Sequence, residues 1–302
     1  MFSRSLALVA TAVAILLLVP STQAAPADDF PVTVFAANGK VTIPKQPRRI
    51  VSISPTATES LFAVGAGPQV IAVDDQSDYP RAAPRTRLSG FTPNAEAIAK
   101  YRPDLVIVSF DANRVVASLK RLRIPVLVQP AARTLPQAYE QIKQLGRATG
   151  HEGAARTLVA RMRTRIAELV AASTDRARGV SLYHELTPDY YSATSSTFIG
   201  AIYRLFGLRN IADAADSTGS GYPQLAGEYV IAENPGLIVL ADTKCCGQTK
   251  ATVGARPGWD RIRAVRTGAV VLLDDSIASR WGPRVVNFVR AVSSALRTTV
   301  GR

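Results

Sequence analysis

The stretch "NAEAIAKYRPDLVIVSF", Asn94 to Phe110, has a counterpart in "GEYVIAENPGLIVLAD", Gly227 to Asp242. In each copy a glutamate, Glu96 or Glu228, stands seven residues before a proline, Pro103 or Pro235, and a run led by leucine begins two residues after that proline. The front of each copy reads as a short helix with an acid in its first turn, and the back as a buried strand. A unit written twice implies two halves of similar build.

Working outward from the two copies, further apolar runs appear on either side. "RIVSIS", "VIAVDD", "DLVIVSF" and "PVLVQP" belong to the first half, "GVSLYHEL", "LIVLAD" and "AVVLLDD" to the second. Continuous Val, Ile and Leu runs separated by helix-like stretches argue for parallel strands buried on both faces, so the class is α/β. An extended hairpin, "PVTVFAANGKVTIPK", precedes them. Between the halves, "HEGAARTLVARMRTRIAELVAAST" lacks proline and places Leu158, Met162, Ile166 and Leu169 on one helical stripe. From His151 to Ser173 such a helix is about 34 Å long at 1.5 Å per residue. It is either a long surface helix or a rigid spar joining two lobes, and the echoed unit on each side favours the spar.

At the N-terminus Arg4 precedes fourteen largely apolar residues, Leu6 to Val19, and then "PSTQAA". That is the pattern of a signal peptide, too short for a membrane span of ~20 apolar residues, with cleavage expected after Ala24. The only cysteines are Cys245 and Cys246, so no lipid anchor on an N-terminal cysteine is expected. Cleavage would leave 302 − 24 = 278 residues and, without Arg4, 35 basic against 23 acidic side chains, or +12. The cations are scattered, as on a solvated surface, and an exported chain seldom meets nucleic acid, so the expected partners are anionic small ligands, wall polymers or membrane surfaces.

Catalytic signatures are missing. "HEGAA" and "HELTP" do not complete HExxH, "TGSGY" lacks the first glycine of GxSxG, and "GQTKAT" is no phosphate loop. A bare transition metal wants several converging imidazoles or carboxylates, whereas His151 and His184 are the only histidines. No cofactor or resident metal is expected, and a metal would arrive already chelated.

The segment "RRIVSISPTATESLFAVGAGPQVIAVDDQSDYP", Arg48 to Pro80, makes the reading specific. A strand ends in Ser-Pro-Thr and opens directly into a helix, for which Thr56 and Glu59 read as a capping-box pair, Pro55 as the entry and Gly65 as the stop. This segment resembles the vitamin B12 and ferric-siderophore solute-binding proteins of ABC importers. The likeness continues through the two echoed stretches, "PGWDRIRAVRTGAVVLLDD" and "WGPRVVNFVRAV". The resemblance implies a class III solute-binding fold of two Rossmann-like lobes with parallel sheets, joined by one long helix that limits hinge motion. Its expected divisions are a signal peptide over 1–24, lobes over 25–149 and 175–302, and a linking helix over 150–174. It also implies a monomeric, non-enzymatic carrier that passes its cargo to the importer's membrane subunits.

Ligand groups are expected on loops after the strands. The candidates are Tyr79, Phe91, Phe110 and Arg114 from the first lobe, and Tyr183, Tyr190, Tyr191, Tyr222, Lys244, Arg280 and Trp281 from the second; Trp259 looks like the family's packing tryptophan. Where the B12-binding branch lines its cleft with aromatics, this chain keeps Phe91 and Tyr222 but offers Gln76 and Ser109, a departure that points away from a corrin. Tyrosines with Arg and Lys suit an anionic ferric chelate, and a tyrosine or His184 could ligate haem iron. Adjacent Cys245 and Cys246, in an oxidising compartment, form either a vicinal disulfide that stiffens the loop presenting Lys244 or two buried or intermolecular thiols. Glu96 and Glu228 either favour their helix N-termini electrostatically or, as the resemblance implies, dock onto arginines of the importer. Two rivals stand beside the carrier: a basic wall- or membrane-associated protein without transport role, and an enzyme on the same scaffold.

Overall fold

The computed structural model describes residues 30–298; the expected leader, 1–24, and residues 299–302 lie outside the described residues. Strands β1 (Val32–Ala36) and β2 (Gly39–Ile43) form an antiparallel hairpin. Asn38 at its turn fastens it to the first sheet, donating to the Val126 carbonyl and accepting from the Val128 amide at 2.9 and 3.1 Å.

The first lobe then runs β3 (Ile50–Ile53), α1 (Pro55–Ala63), β4 (Val70–Val73), α2 (Ala95–Ala99), β5 (Leu105–Val108), α3 (Val115–Arg121), β6 (Val126–Val128) and α4 (Leu135–Thr149). Its four parallel strands lie in the order β4-β3-β5-β6. Helix α5 (Glu152–Ala171) follows, then the single turn α6 (Thr174–Ala177). The second lobe comprises β7 (Ser181–Glu185), α7 (Phe198–Arg204), β8 (Arg209–Asn210), α8 (Gly227–Glu233), β9 (Leu237–Leu240), α9 (Thr243–Cys246), α10 (Lys250–Gly254), α11 (Arg263–Arg266), β10 (Val270–Leu272), α12 (Asp275–Ala278) and α13 (Val285–Thr298). Its order, β10-β9-β7-β8, repeats the first: the opening strand is internal, the second lies on one side, and the third and fourth extend on the other.

The echo has this origin. Helices α2 and α8 deliver the chain to β5 and β9, the third strand of each sheet, and all four residues of both strands are buried. Strand β8, only two residues long, lacks an apolar run of its own and was not among the expected strands.

Helix α5 is the connection between the sheets, about 30 Å long at 1.5 Å per residue. It buries Ala155, Val159, Met162, Ile166 and Leu169. Gly146 lets α4 press against it, since a Cβ there would fall 2.3 Å from the Ala155 methyl. At the far end Ser173 and Ser293 tie α5 to α13 through a 2.5 Å hydroxyl contact. One apolar core therefore runs from the hairpin through α1, α4 and α5 into the second sheet, and a smaller cluster lies under α2 and α3.

The entry to α1 differs from the capping box expected of Thr56 and Glu59. Extended Ser54 is the N-cap, its Oγ accepting from the Ala57 amide at 3.3 Å, and Pro55 takes the first helical position. Glu59 is buried and turned toward the second lobe instead.

Candidate ligand-binding cleft

A cleft opens at the C-terminal ends of the first sheet's strands, against the segment joining α12 to α13. Its larger hollow, about 520 Å³, is floored by Ile53, Asp74 and Ser109 and walled by Phe91, Phe110, Pro130, Arg280 and Trp281. A smaller one, about 280 Å³, lies between Ala132 and Arg133 of the first lobe and Leu186, Thr197, Phe198 and Tyr222 of the second. Ala131, Ser279 and Trp281 line both, so the Trp281 indole stands between them. The floor belongs to the strand order: β3 and β5 are neighbours whose connections leave in opposite directions, which opens a crevice beyond their ends.

Of the expected ligand residues, Phe91, Phe110, Arg280 and Trp281 line the larger hollow and Tyr222 the smaller. Phe91 is 68% exposed and Phe110 45%, apolar surface that normally seeks cover. Trp281 is aimed by a hydrogen bond from Nε1 to the Gln141 Oε1 of α4, at 2.7 Å.

Arg280 lines the hollow but is not a free cation. Its guanidinium contacts the Glu59 carboxylate at 2.9 Å, the Asp78 carboxylate at 2.6 Å and the Gln76 carbonyl at 2.9 Å. Arg284 grips Glu59 through two further bonds, at 2.9 and 2.5 Å. Glu59 thus bridges the lobes, a role the sequence reading missed because the same carboxylate suits a helix cap.

Other expectations are corrected by packing. Tyr183 is fully buried in β7, donating to Glu185 at 3.0 Å. Tyr190 stacks on Trp259, ring centroids 5.7 Å apart, beneath the Arg256 guanidinium. Neither reaches the cleft, and Trp259 lies in the core as expected. Arg256 binds Glu185 bidentately, both bonds 2.6 Å, and so fills the second lobe's crevice with a buried ion pair. Tyr79 lies under Arg284, 4.4 Å from ring centre to guanidinium, and Tyr191 pairs with Gln224. Arg114 is exposed on a left-handed backbone, φ 54°, and Lys244 pairs with Asp274 at 2.5 Å. None of these four lines either hollow.

His184 is fully buried against the Tyr203 hydroxyl at 2.6 Å, and burial alone holds its imidazole down to about 3. It is a neutral core residue and lines neither hollow. Cys245 and Cys246 are joined as a vicinal disulfide in α9. Asp275 holds the same turn, accepting from the Thr243 hydroxyl and the Lys244 and Cys245 amides at 3.1, 3.0 and 2.7 Å.

Missed by the sequence reading was Asp74, an acid at the tip of β4 in the crevice where binding groups gather. Burial pushes its carboxyl up to about 6, with the neighbouring Asp75 charge adding to it and bonds from Ser77 and Gln76 opposing. The signal was present in "VIAVDD", a strand that runs into two carboxylates.

Two sheets of one strand order, a single spanning helix and a lined crevice define a two-lobed α/β binding protein. The family described as periplasmic binding protein matches residues 50–277, and the chain belongs to it. Among curated relatives, an uncharacterised ABC transporter substrate-binding lipoprotein of Bacillus subtilis is 31% identical over 277 residues, covering 88% of this chain and 86% of the relative. A cobalamin-binding protein of Halobacterium salinarum is 32% identical over 293 residues, covering 93% and 79%. Among solved structures, a periplasmic haem-binding protein of Roseiflexus superposes with a TM-score of 0.71 at 23% identity, over 84% of this chain and 99% of that one. The vitamin B12-binding protein of Vibrio cholerae gives 0.68 at 23%, over 85% and 99%. At those identities the likeness is one of fold.

Proposed function

We propose that the protein is an exported, non-enzymatic carrier that holds a neutral, carboxamide-bearing metal chelate of the cobalamin kind and delivers it to an ABC importer. Membership of the binding-protein family and the names of its relatives support the carrier role. The observation that carries the cargo class is the state of the cations. Arg280 is neutralised by Glu59 and Asp78, Lys244 is turned to Asp274, and a carboxyl group stands on the floor of the larger hollow. Such a lining leaves an anionic ferric chelate the exposed Arg133 of the smaller hollow and little else, while Phe91, Phe110, Tyr222 and Trp281 offer flat apolar cover to a macrocycle and Gln76 and Ser109 offer neutral hydrogen bonds. The carrier works as a monomer and meets the importer through Glu96 and Glu228. Both carboxylates are exposed, each in the first turn of an equivalent helix, and two equivalent anchors suit a two-fold receptor.

The test is a titration with cyanocobalamin, a ferric hydroxamate siderophore and haemin, following tryptophan emission and heat. Cyanocobalamin should bind with a Kd below about 1 µM and quench Trp281, the quench vanishing in Trp281→Phe, since Trp259 is sealed in the core. Tighter binding of haemin than of cyanocobalamin would reverse the cargo assignment. In cells, Glu96→Lys with Glu228→Lys should abolish uptake while leaving that Kd unchanged; normal uptake by the folded double variant would leave the two glutamates as helix-terminal charges only.

A further inference from the structure

Asp74 is 2% exposed, yet its side chain lines the larger hollow. One carboxylate oxygen, Oδ1, accepts from the Gln76 amide at 3.0 Å. The other, Oδ2, is buried with no hydrogen-bond partner among the described residues. Gly90 packs against it without a side chain, and a Cβ at that position would come within 3.3 Å of Oδ2. The backbone holds the group in place, since the Asp74 amide donates to the Ser52 carbonyl of β3 at 3.1 Å and the Asp75 amide to the Leu88 carbonyl at 2.8 Å.

Around it, the Ser77 hydroxyl approaches the carboxyl, Thr58 of α1 links that hydroxyl to Ser52 of β3, and the 88–90 stretch presents backbone. The charged neighbours are Asp75, whose carboxylate accepts from the Gly90 amide at 3.0 Å, and Arg280, already held by Glu59 and Asp78. A buried acceptor left bare is costly, and a bound molecule bringing an N–H or O–H to that point relieves the cost. A molecule bringing a second carboxylate meets repulsion at low dielectric.

Resting on the cobalamin-like reading of the cleft, we propose that Asp74 is a specificity-determining residue: Oδ2 accepts a hydrogen bond from one peripheral carboxamide N–H of the cargo and rejects cargo whose edge is a carboxylate there. The donor favours the ionised acid. With the empty group titrating near 6, only about a tenth of the protein is competent at pH 5, so affinity falls about tenfold between pH 7.5 and pH 5.

The experiment compares the unmodified protein with Asp74→Asn, which keeps the Gln76 bond and the fold but cannot ionise. Both are titrated calorimetrically from pH 5 to 7.5 with cyanocobalamin, which has no group titrating in that range, and with corrinoid monocarboxylates in which one peripheral amide is hydrolysed. The expected result is an about tenfold pH dependence that Asp74→Asn flattens. At pH 7.5 one of the monocarboxylates should bind the unmodified protein at least about tenfold more weakly than cyanocobalamin, a gap that Asp74→Asn narrows, because its amide can turn to donate. Equal pH profiles and equal discrimination in the two proteins would overturn the role of Asp74 and leave the carrier reading standing. Failure of the unmodified protein to bind any corrinoid at any of these pH values would overturn the cargo reading and this inference with it.

Discussion

Asp242, just past the end of β9, has both carboxylate oxygens buried without a donor among the described residues, beside the ion-paired Glu185. Burial, then the Glu185 charge, push it up to about 7. The sign follows directly: a carboxyl raised in the folded state opposes folding above its folded value, and the penalty fades as pH falls through 7 toward the unfolded value near 4. Asp242→Asn should therefore raise the melting temperature by several degrees at pH 8 and leave it unchanged at pH 4; equal gains at both would mean that the charge is not the cause. Single residues were the least legible part of the sequence. Tyr183 within β7, Tyr190 beyond it, and Phe91 and Phe110 are all aromatics in or after strands, yet the two tyrosines pack into the second lobe and the two phenylalanines line the cleft. What divides them is Arg256 and Trp259, which arrive from 66 or more residues along the chain to cover the tyrosines.

Helices α4 and α5 meet at Gly146, where the small residue permits the approach that fixes the spar against the first lobe. A methyl at that point would overlap Ala155 and crowd the His151 carbonyl at 3.0 Å. Gly146→Ala should cost about 1–3 kcal/mol in a urea melt despite alanine's better helix propensity, because overpacking outweighs propensity at a tight crossing. A gain in stability would show that the two helices part freely. At this scale the sequence was readable. Long apolar runs announced seven of the eight sheet strands, and the Leu158-to-Leu169 stripe announced α5, because burial on a periodic face leaves a periodic record. The capping of α1 was misread because Ser54, Thr56 and Glu59 all satisfy local cap chemistry, and the choice among them is made by Arg280 and Arg284, more than two hundred residues away.

Across the whole molecule the lobes are held twice, by the α5 spar and its continuous core, and by Glu59 with Arg280 and Arg284 on the cleft side. The carboxylate is 1% exposed and the two guanidinium side chains 12% and 14%, so removing the acid strands Arg284 and leaves Arg280 to Asp78. Glu59→Gln should cost about 3–5 kcal/mol in chemical denaturation and weaken cargo binding, whereas a cost under about 1 kcal/mol would mean that water reaches the pair. The two-lobed outline could be read from the echoed stretch, but this second tie could not, since no local pattern records a partner so distant in the chain. A body fastened at both margins has little room to change its silhouette when it fills. If the protein is the carrier proposed above, a receptor would meet the same outer face whether the hold is empty or laden, and would tell the two apart by touching the rim of what fills the space between Phe91 and Tyr222.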